Sequence, residues 1–295
     1  MHPDEPDDHP SDIRPYLCIP YWTTPLTPGG KWDDGDRKAL PPQVVSYACE
    51  SIRTTAYQPG KPIEISVDVR NSGGGNGAAV ATVVVYWADP SVGFTKPTFL
   101  TATGVAVPVT RTTPGLTTTA PPMKATIPAT APNHVCLLVC VSHPQDRAGL
   151  ACDPIHDRHW AQRNLMAVPA APGAPAIVPF AAGNPYAEER IYRLAFGPVD
   201  EWRQRQVAEA SGIEPSDIRA QVRLLDEDGA AVSEPGERTE VRLRLGPLEQ
   251  RRFQALFELP ADLPPGRGAA VEAALDDGQD QGPAGSLGVV LVPPE

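Results

Sequence analysis

The stretch PIEISVDVRNSGGGNGAAVATVVVYW, residues 62–87, decides the fold class. In its first part Ile63, Ile65, Val67 and Val69 alternate with Glu64, Ser66, Asp68 and Arg70. Successive side chains of a strand point to opposite faces, so this period of two sets an apolar row against a core and a polar row in water. NSGGGNG at 71–77 supplies turn residues, and VATVVVYW at 80–87 is a second β-branched run, so the two read as a paired strand unit. A Gly-rich loop can also cradle phosphate. Here no Lys-Ser/Thr follows and no helical pattern opens after it, which favours the turn.

Outward from this stretch the same signals recur. Strands are expected near 97–108, 122–128, 134–142 and 161–168, each bounded by Pro, Gly or Thr clusters, and PAAPGAP at 169–175 reads as a linker. Beyond it, Tyr192, Leu194 and Phe196, then Val241, Leu243 and Leu245, then Phe253, Ala255, Phe257 and Leu259 alternate with mostly polar neighbours. This predicts a second sandwich-like core. One helix is expected in DEWRQRQVAEASG (200–212), which has helix formers, Asp200 at its start and Gly212 at its end. LDEDGAAV (225–232) offers an Asp-Gly turn, since the ligand spacing and closing Glu of a calcium loop are missing.

Composition agrees with this reading. A chain of 295 residues is long enough for two domains, and 36 prolines and 25 glycines with 41% hydrophobic residues suit many short strands joined by turns. The net charge of −11 is uneven: residues 1–170 hold 13 basic and 15 acidic side chains, residues 171–295 hold 12 and 21. Such a surface repels phosphate backbones and anionic lipid, so neither nucleic acid nor membrane insertion is expected. Nowhere do eighteen apolar residues run in succession, and MHPDEPDDHPSDIRP lacks the pattern of an export signal. Five cysteines, an odd count without repeating spacing, fit reduced thiols. These features point to the cytoplasm, or to an assembly exported without a classical signal.

Residues 1–44 read as an irregular arm, acidic and Pro-rich as far as Pro15 and then aromatic, with Tyr16, Tyr21, Trp22 and Trp32 set among prolines and glycines. Exposed, these rings would be costly. The arm is therefore expected to pack on its own first sandwich, or else to present these four residues as contacts to a protein partner.

The succession IEISVDVRNSGGGNGAAVATVVVYWADPS, HVCLLVCVSH and DPIHDRHWAQRNLMAV resembles the bacterial cell-adhesion-related (CARDB-type) immunoglobulin-like domains over about residues 45–168. More weakly, GPLEQRRFQALFELPADLPPGRGAAVEAAL is similar to the bacterial Ig-like domains attached to alpha-galactosidases. The resemblance implies tandem immunoglobulin-like β-sandwiches that act as spacers, adhesive modules or docking platforms, and it carries over no catalytic residue.

One segment invites a chemical reading. HVCLLVCVSHPQDRAGLACDPIHDRHW (134–160) brings together His134, Cys136, His143, Cys152, His156 and His159. If 134–141 is a strand, Cys136 and Cys140 lie about 13 Å apart, too far to share a disulfide or a zinc ion. His134 and Cys136 could share a metal with His143 or Cys152, and Cys152 with a histidine could make a nucleophile and base. The reading adopted is that the cysteines are buried as small hydrophobes and that Asp153 and Asp157 make turn hydrogen bonds while Trp160 packs, giving a strand, a loop and a final strand. Asp276, Asp277 and Asp280 could hold calcium, although an acidic turn is the commoner use of such residues. No G-x-S-x-G, H-E-x-x-H, Walker loop or G-x-G-x-x-G occurs.

The expectation is a mainly β protein: an arm (1–44), a CARDB-like sandwich (45–170) and a second Ig-like sandwich with one short helix (171–295). It would serve, without cofactor, metal or catalytic residues, as a structural or protein-interaction module in a larger bacterial assembly, its oligomeric state open. The alternatives are a small metal- or thiol-dependent enzyme centred on residues 134–159, or an accessory module of an enzyme.

Overall fold

The computed structural model describes residues 13–74, 77–278 and 284–294, and the backbone alone at Leu165 and Met166. The acidic start of the arm, the tip of the Gly-rich turn (residues 75–76) and Asp280 lie outside the described residues. The protein is mainly β. In chain order the first strands are β1 (Leu17–Cys18), β2 (Ile52–Thr54), β3 (Pro62–Asn71), β4 (Ala78–Ala88), β5 (Ser91–Val92) and β6 (Thr98–Pro108). Next come β7 (Thr118–Thr119), β8 (Met123–Thr126), β9 (Cys136–Ser142), β10 (Trp160–Arg163), β11 (Leu165–Pro169), β12 (Ala176–Gly183) and β13 (Arg190–Pro198). The helix α1 (Glu201–Ser211) precedes β14 (Glu214–Pro215), β15 (Gln221–Asp226), β16 (Thr239–Leu245), β17 (Gln250–Glu258), β18 (Arg267–Asp276) and β19 (Gly285–Val292).

Two sandwiches result. In the first, β3 is flanked by β1 and β2 on one side and by β7 and β8 on the other, and this sheet faces a second one ordered β10-β9-β4-β6. Ile63, Ile65, Val67 and Val69 of β3 meet Ala81, Val83 and Val85 of β4 and Leu137, Val139 and Val141 of β9 in one core. The alternation read from the sequence is thus the inner face, but the pairing expected from it is corrected. β3 and β4 belong to different sheets, and the Gly-rich segment carries the chain across the core rather than around a hairpin. Period-two patterning fixes which face is buried and is silent about which strand lies alongside.

The second sandwich joins a sheet ordered β11-β19-β18-β13-β16, with β14 beside β18, to a sheet ordered β15-β17-β12-β5. Phe180, Phe196, Phe253 and Phe257 pack at its centre with ring centroids 5.2–6.2 Å apart. Here too one expectation is corrected: 161–168 is not one strand. β10 pairs with β9 in the first sandwich, whereas β11, beginning one residue after Asn164, runs parallel to β19 in the second. The PAAPGAP stretch then closes a tight turn, with Ala174 N donating to Ala171 O at 3.1 Å.

The two sandwiches share apolar packing. Cys136, Leu138 and Cys140, on the face of β9 turned away from the first core, belong to one cluster with Val178, Phe180, Leu194 and the rest of the second core. β9 is therefore covered on both faces, which explains its unbroken apolar run CLLVCV. The helix begins after Asp200 and ends at Gly212, whose φ of 69° lets its N–H reach Ala208 O at 2.7 Å. Its Gln206 binds the arm as a strand would, accepting from Val45 N at 3.1 Å and donating to Gln43 O at 2.8 Å. Val207 then closes a small third core with Val45, Tyr47 and Val290. No helix among the described residues is long and apolar enough to cross a membrane.

Because the contact between the sandwiches is packed like an interior, heat should unfold the whole chain in one cooperative transition. Leu138→Ala, which opens a hole at that contact, should lower stability by about 2–5 kcal/mol while the transition stays single. Calorimetry checks both. Two separated transitions, only one of them shifted, would mean that the halves fold independently.

Candidate functional site

The six histidines and cysteines singled out in residues 134–159 do not converge; most have a partner or setting of their own. Cys136 and Cys140 line the apolar face of β9, where burial pushes each thiol up to about 12. Cys152 is buried too, and burial first, then the nearby Asp153, raises its thiol well above the ordinary range. That is the opposite of what activates a nucleophile, which needs a cation or helix N-terminus beside it. His134 is held neutral by burial, its pKa lowered to about 4. The ring of His143 accepts from Gln145 N at 3.2 Å within a turn. His156 pairs with Asp153 at 2.9 Å. Among the described residues no three His, Cys, Asp or Glu side chains are grouped so as to hold a metal ion.

What this segment builds is a set of braces. Asp153 accepts from Ile155 N and His156 N at 3.2 and 3.0 Å and from the Tyr186 hydroxyl of the second half at 2.5 Å. His159 lies between two carboxylates, Nδ1 2.7 Å from Asp157 and Nε2 3.1 Å from Asp146. Asp146 also accepts from Leu17 N at 2.6 Å and from Arg158 at 2.5 Å, so the arm hangs from this loop.

The arm's aromatic residues are divided. Tyr16 and Tyr21 are buried, Tyr16 beneath the Arg158 guanidinium at 3.8 Å and Tyr21 with its hydroxyl accepting from Gln162 N at 3.1 Å. They are part of the protein's own interior and offer no surface to a partner. Trp22 and Trp32 are half-buried; Trp22 donates to Lys31 O at 3.0 Å, and Arg70 stacks on Trp32 at 5.3 Å. Asp276 and Asp277 pair with Arg193 and Arg190 at 2.8 and 2.9 Å.

A different surface stands out once the topology is known. β6 is an outer strand eleven residues long, TFLTATGVAVP, and among the described residues it pairs with β4 alone. Neither β6 nor β4 contains a charged residue. The outer face of this pair shows Val80 (69% exposed), Thr82, Ala102, Gly104 and Ala106, with Phe99 (61% exposed) edge-on to Tyr86. A Cβ placed on Gly104 would meet only Ala81 O, at 4.0 Å. The direction of the backbone follows from one hydrogen bond: Val109 N donates to Gly77 O at 3.1 Å, toward β4. Alternation then turns Val107, Val105 and Thr103 toward β4 as well, and leaves the N–H and C=O of Ala102, Gly104 and Ala106 facing the open edge.

Several other outer strands carry charge. Arg53 sits on β2, Lys124 on β8, Arg163 on β10, Arg223 on β15 and Glu240 on β16. Even β12, whose first residues border a cleft of about 1300 Å³ between the two halves, carries Pro179 in its middle, opposite no strand on its open side. Proline and charge are the usual means of keeping an edge from pairing, and β6 has neither until its final Pro108. Reading the sequence alone missed this site. β6 was legible as a strand; its lack of charge was also visible, but its place at an edge was not.

No family model matches the chain, and no curated protein matches it. Among solved structures it is similar to the CupB6 tip adhesin of Pseudomonas aeruginosa, 9% identical over 82% of this chain and 94% of that chain, TM-score 0.26. It is also similar to a collagen adhesin of S. aureus (7% identity, 84% and 93%, TM-score 0.24). A glycosyl hydrolase family 2 member from Bacteroides cellulosilyticus is 11% identical over 94% of this chain and 36% of that chain, TM-score 0.26. At such scores these likenesses assign no function.

The His159 brace sets a pH dependence. Asp146 and Asp157 beside the ring outweigh its burial and raise its pKa above the ordinary 6.5. The imidazolium is thus favoured in the fold, so its contribution is complete below about pH 6.5 and fades as pH rises through the raised value. His159→Gln should therefore destabilise more at about pH 6 than at about pH 9. Chemical denaturation at the two pH values measures this; an equal loss at both would show that the ring is neutral in the fold.

Proposed function

We propose that this chain is a non-catalytic protein-interaction module, a structural component or docking platform of a larger assembly, and that it accepts a partner's β-strand along β6. The observation that carries the reading is the uncharged eleven-residue edge with three consecutive outward-facing backbone pairs. An added strand gains main-chain hydrogen bonds from such an edge, and the apolar face beside it supplies contact area. The CARDB-type resemblance of residues 45–168 supports the same reading, since such domains act as spacers and adhesive modules.

A synthetic peptide carrying TATGVAV between lysine tails tests whether the edge accepts a strand. Bound peptide should slow amide exchange at Ala102, Gly104 and Ala106 and nowhere else in the first sandwich. Gly104→Pro removes an N–H that faces the edge and not β4, so it should spare the fold and abolish binding. If these amides exchange equally fast with and without excess peptide, the reading fails.

A further inference from the structure

We infer that the strand β6 is built to receive is the β6 of a second copy of this chain, antiparallel and centred on Gly104. The inference rests on the module reading above and adds the identity of the partner. A strand that pairs with itself across a two-fold axis must be compatible with its own sequence reversed. With Gly104 on the axis, Gly104 lies opposite Gly104, Ala102 opposite Ala106, Thr103 opposite Val105 and Thr101 opposite Val107 of the second copy. No pair brings together charges, and none holds a side chain larger than valine. The three outward-facing residues of each copy coincide in this register with the three of the other, so all their N–H and C=O groups are satisfied reciprocally. Shifting the register by one residue would set outward-facing groups against inward-facing ones.

Charge and area agree. Residues 1–170, which include this edge, are nearly balanced at 13 basic and 15 acidic side chains, while the acidic excess belongs to residues 171–295. The second half packs on β9, two strands in from β6, and on the Tyr86–Ala88 end of β4. At about 4.8 Å per strand the two β9 strands of a pair lie roughly 24 Å apart, well beyond the screening length of about 8 Å in physiological salt. Repulsion between the acidic halves is therefore mostly screened. A single strand-to-strand contact stays below the roughly 1,200 Å² of stable complexes, so the pair should be reversible, with a dissociation constant on the order of micromolar.

Sedimentation equilibrium from about 1 to 100 µM, a range chosen to bracket that constant, should show a monomer–dimer equilibrium. Gly104→Pro and Ala102→Lys should each weaken it at least about tenfold without lowering the thermal midpoint of the monomer. Register is read by crosslinking: the double variant Ala102→Cys/Ala106→Cys should form a disulfide-linked dimer under mild oxidation and Ala102→Cys alone should not. Facing residues of a hydrogen-bonded pair lie about 5.5 Å apart, within disulfide reach. Background is small because the five native cysteines are buried. A chain that stays monomeric throughout, or a Gly104→Pro dimer as tight as the parent, overturns the inference. A monomer that still binds the TATGVAV peptide at β6 ends the second-copy proposal and leaves the module reading standing; a monomer that does not bind it ends both.

Discussion

The rest of the structure depends on the passage of the backbone through Asn164. Within a few residues the chain leaves one sheet at Arg163 and enters another at Leu165, in the interior, where unpaired polar groups are costly. The donors there are met from three directions, while Gln162 Oε1 and Asn164 Oδ1 are buried without a hydrogen-bond partner. Asn164 N donates to Tyr47 O of the segment that follows the arm at 2.9 Å, and the Asn164 and Gln162 side chains donate to Ser286 O of the last strand at 3.2 and 3.0 Å. Gln162 reaches the Ser46 hydroxyl as well, and Ser46 and Ser286 bond each other. The first sandwich, the segment just after the arm and the second sandwich are thereby fixed to one another at a single buried seam.

The packing follows from that seam. Because the crossing is short, β9 and β10 are held against the second core, and the face of β9 bearing Cys136, Leu138 and Cys140 becomes interior. Likewise β19 is covered on its second face, with Val290 under Val45 and Tyr47, just after the arm, and under α1. The aromatic arm is then part of the fastening, stapled by Gln206 at one end and by Asp146 and Arg158 at the other. In the β10-β9-β4-β6 sheet the second half packs on β9 and on the Tyr86–Ala88 end of β4, which leaves β6, two strands from β9, as the outer strand.

What was legible in the sequence was local and periodic. The inner rows of β3, β13 and β17 are those that alternation marked, and α1 begins and ends within a residue of its Asp200 and Gly212 signals. Pairing was not legible, since Ile63 through Val69 have the same pattern whether β4 lies beside β3 or across the core from it. Nor was the crossing at Asn164: the polar Gln162-Arg163-Asn164 within WAQRNLMAV fits a single half-exposed strand as well as one that changes sheets. For the His and Cys residues of 134–159 nearness in sequence left a common site open only as the alternative, and the strand does send Cys136 and Cys140 into apolar packing while the loop gives His156 and His159 separate carboxylates.

The absence of charge on β4 and β6 has a physical meaning only in combination with topology. On an interior strand such as β19, with its run of LGVVLV, it would reflect burial on both faces. On an outer strand it removes the device by which folded chains discourage edge pairing, while the outer strands β2, β8, β10, β15 and β16 of the same protein carry charged side chains. A net charge of −11 still opposes indiscriminate contact at a distance, but most of it resides in the other half and is screened within about 8 Å. Long-range repulsion and a locally neutral edge are therefore compatible. The first limits which surfaces meet, and the second allows one particular surface to bind when they do.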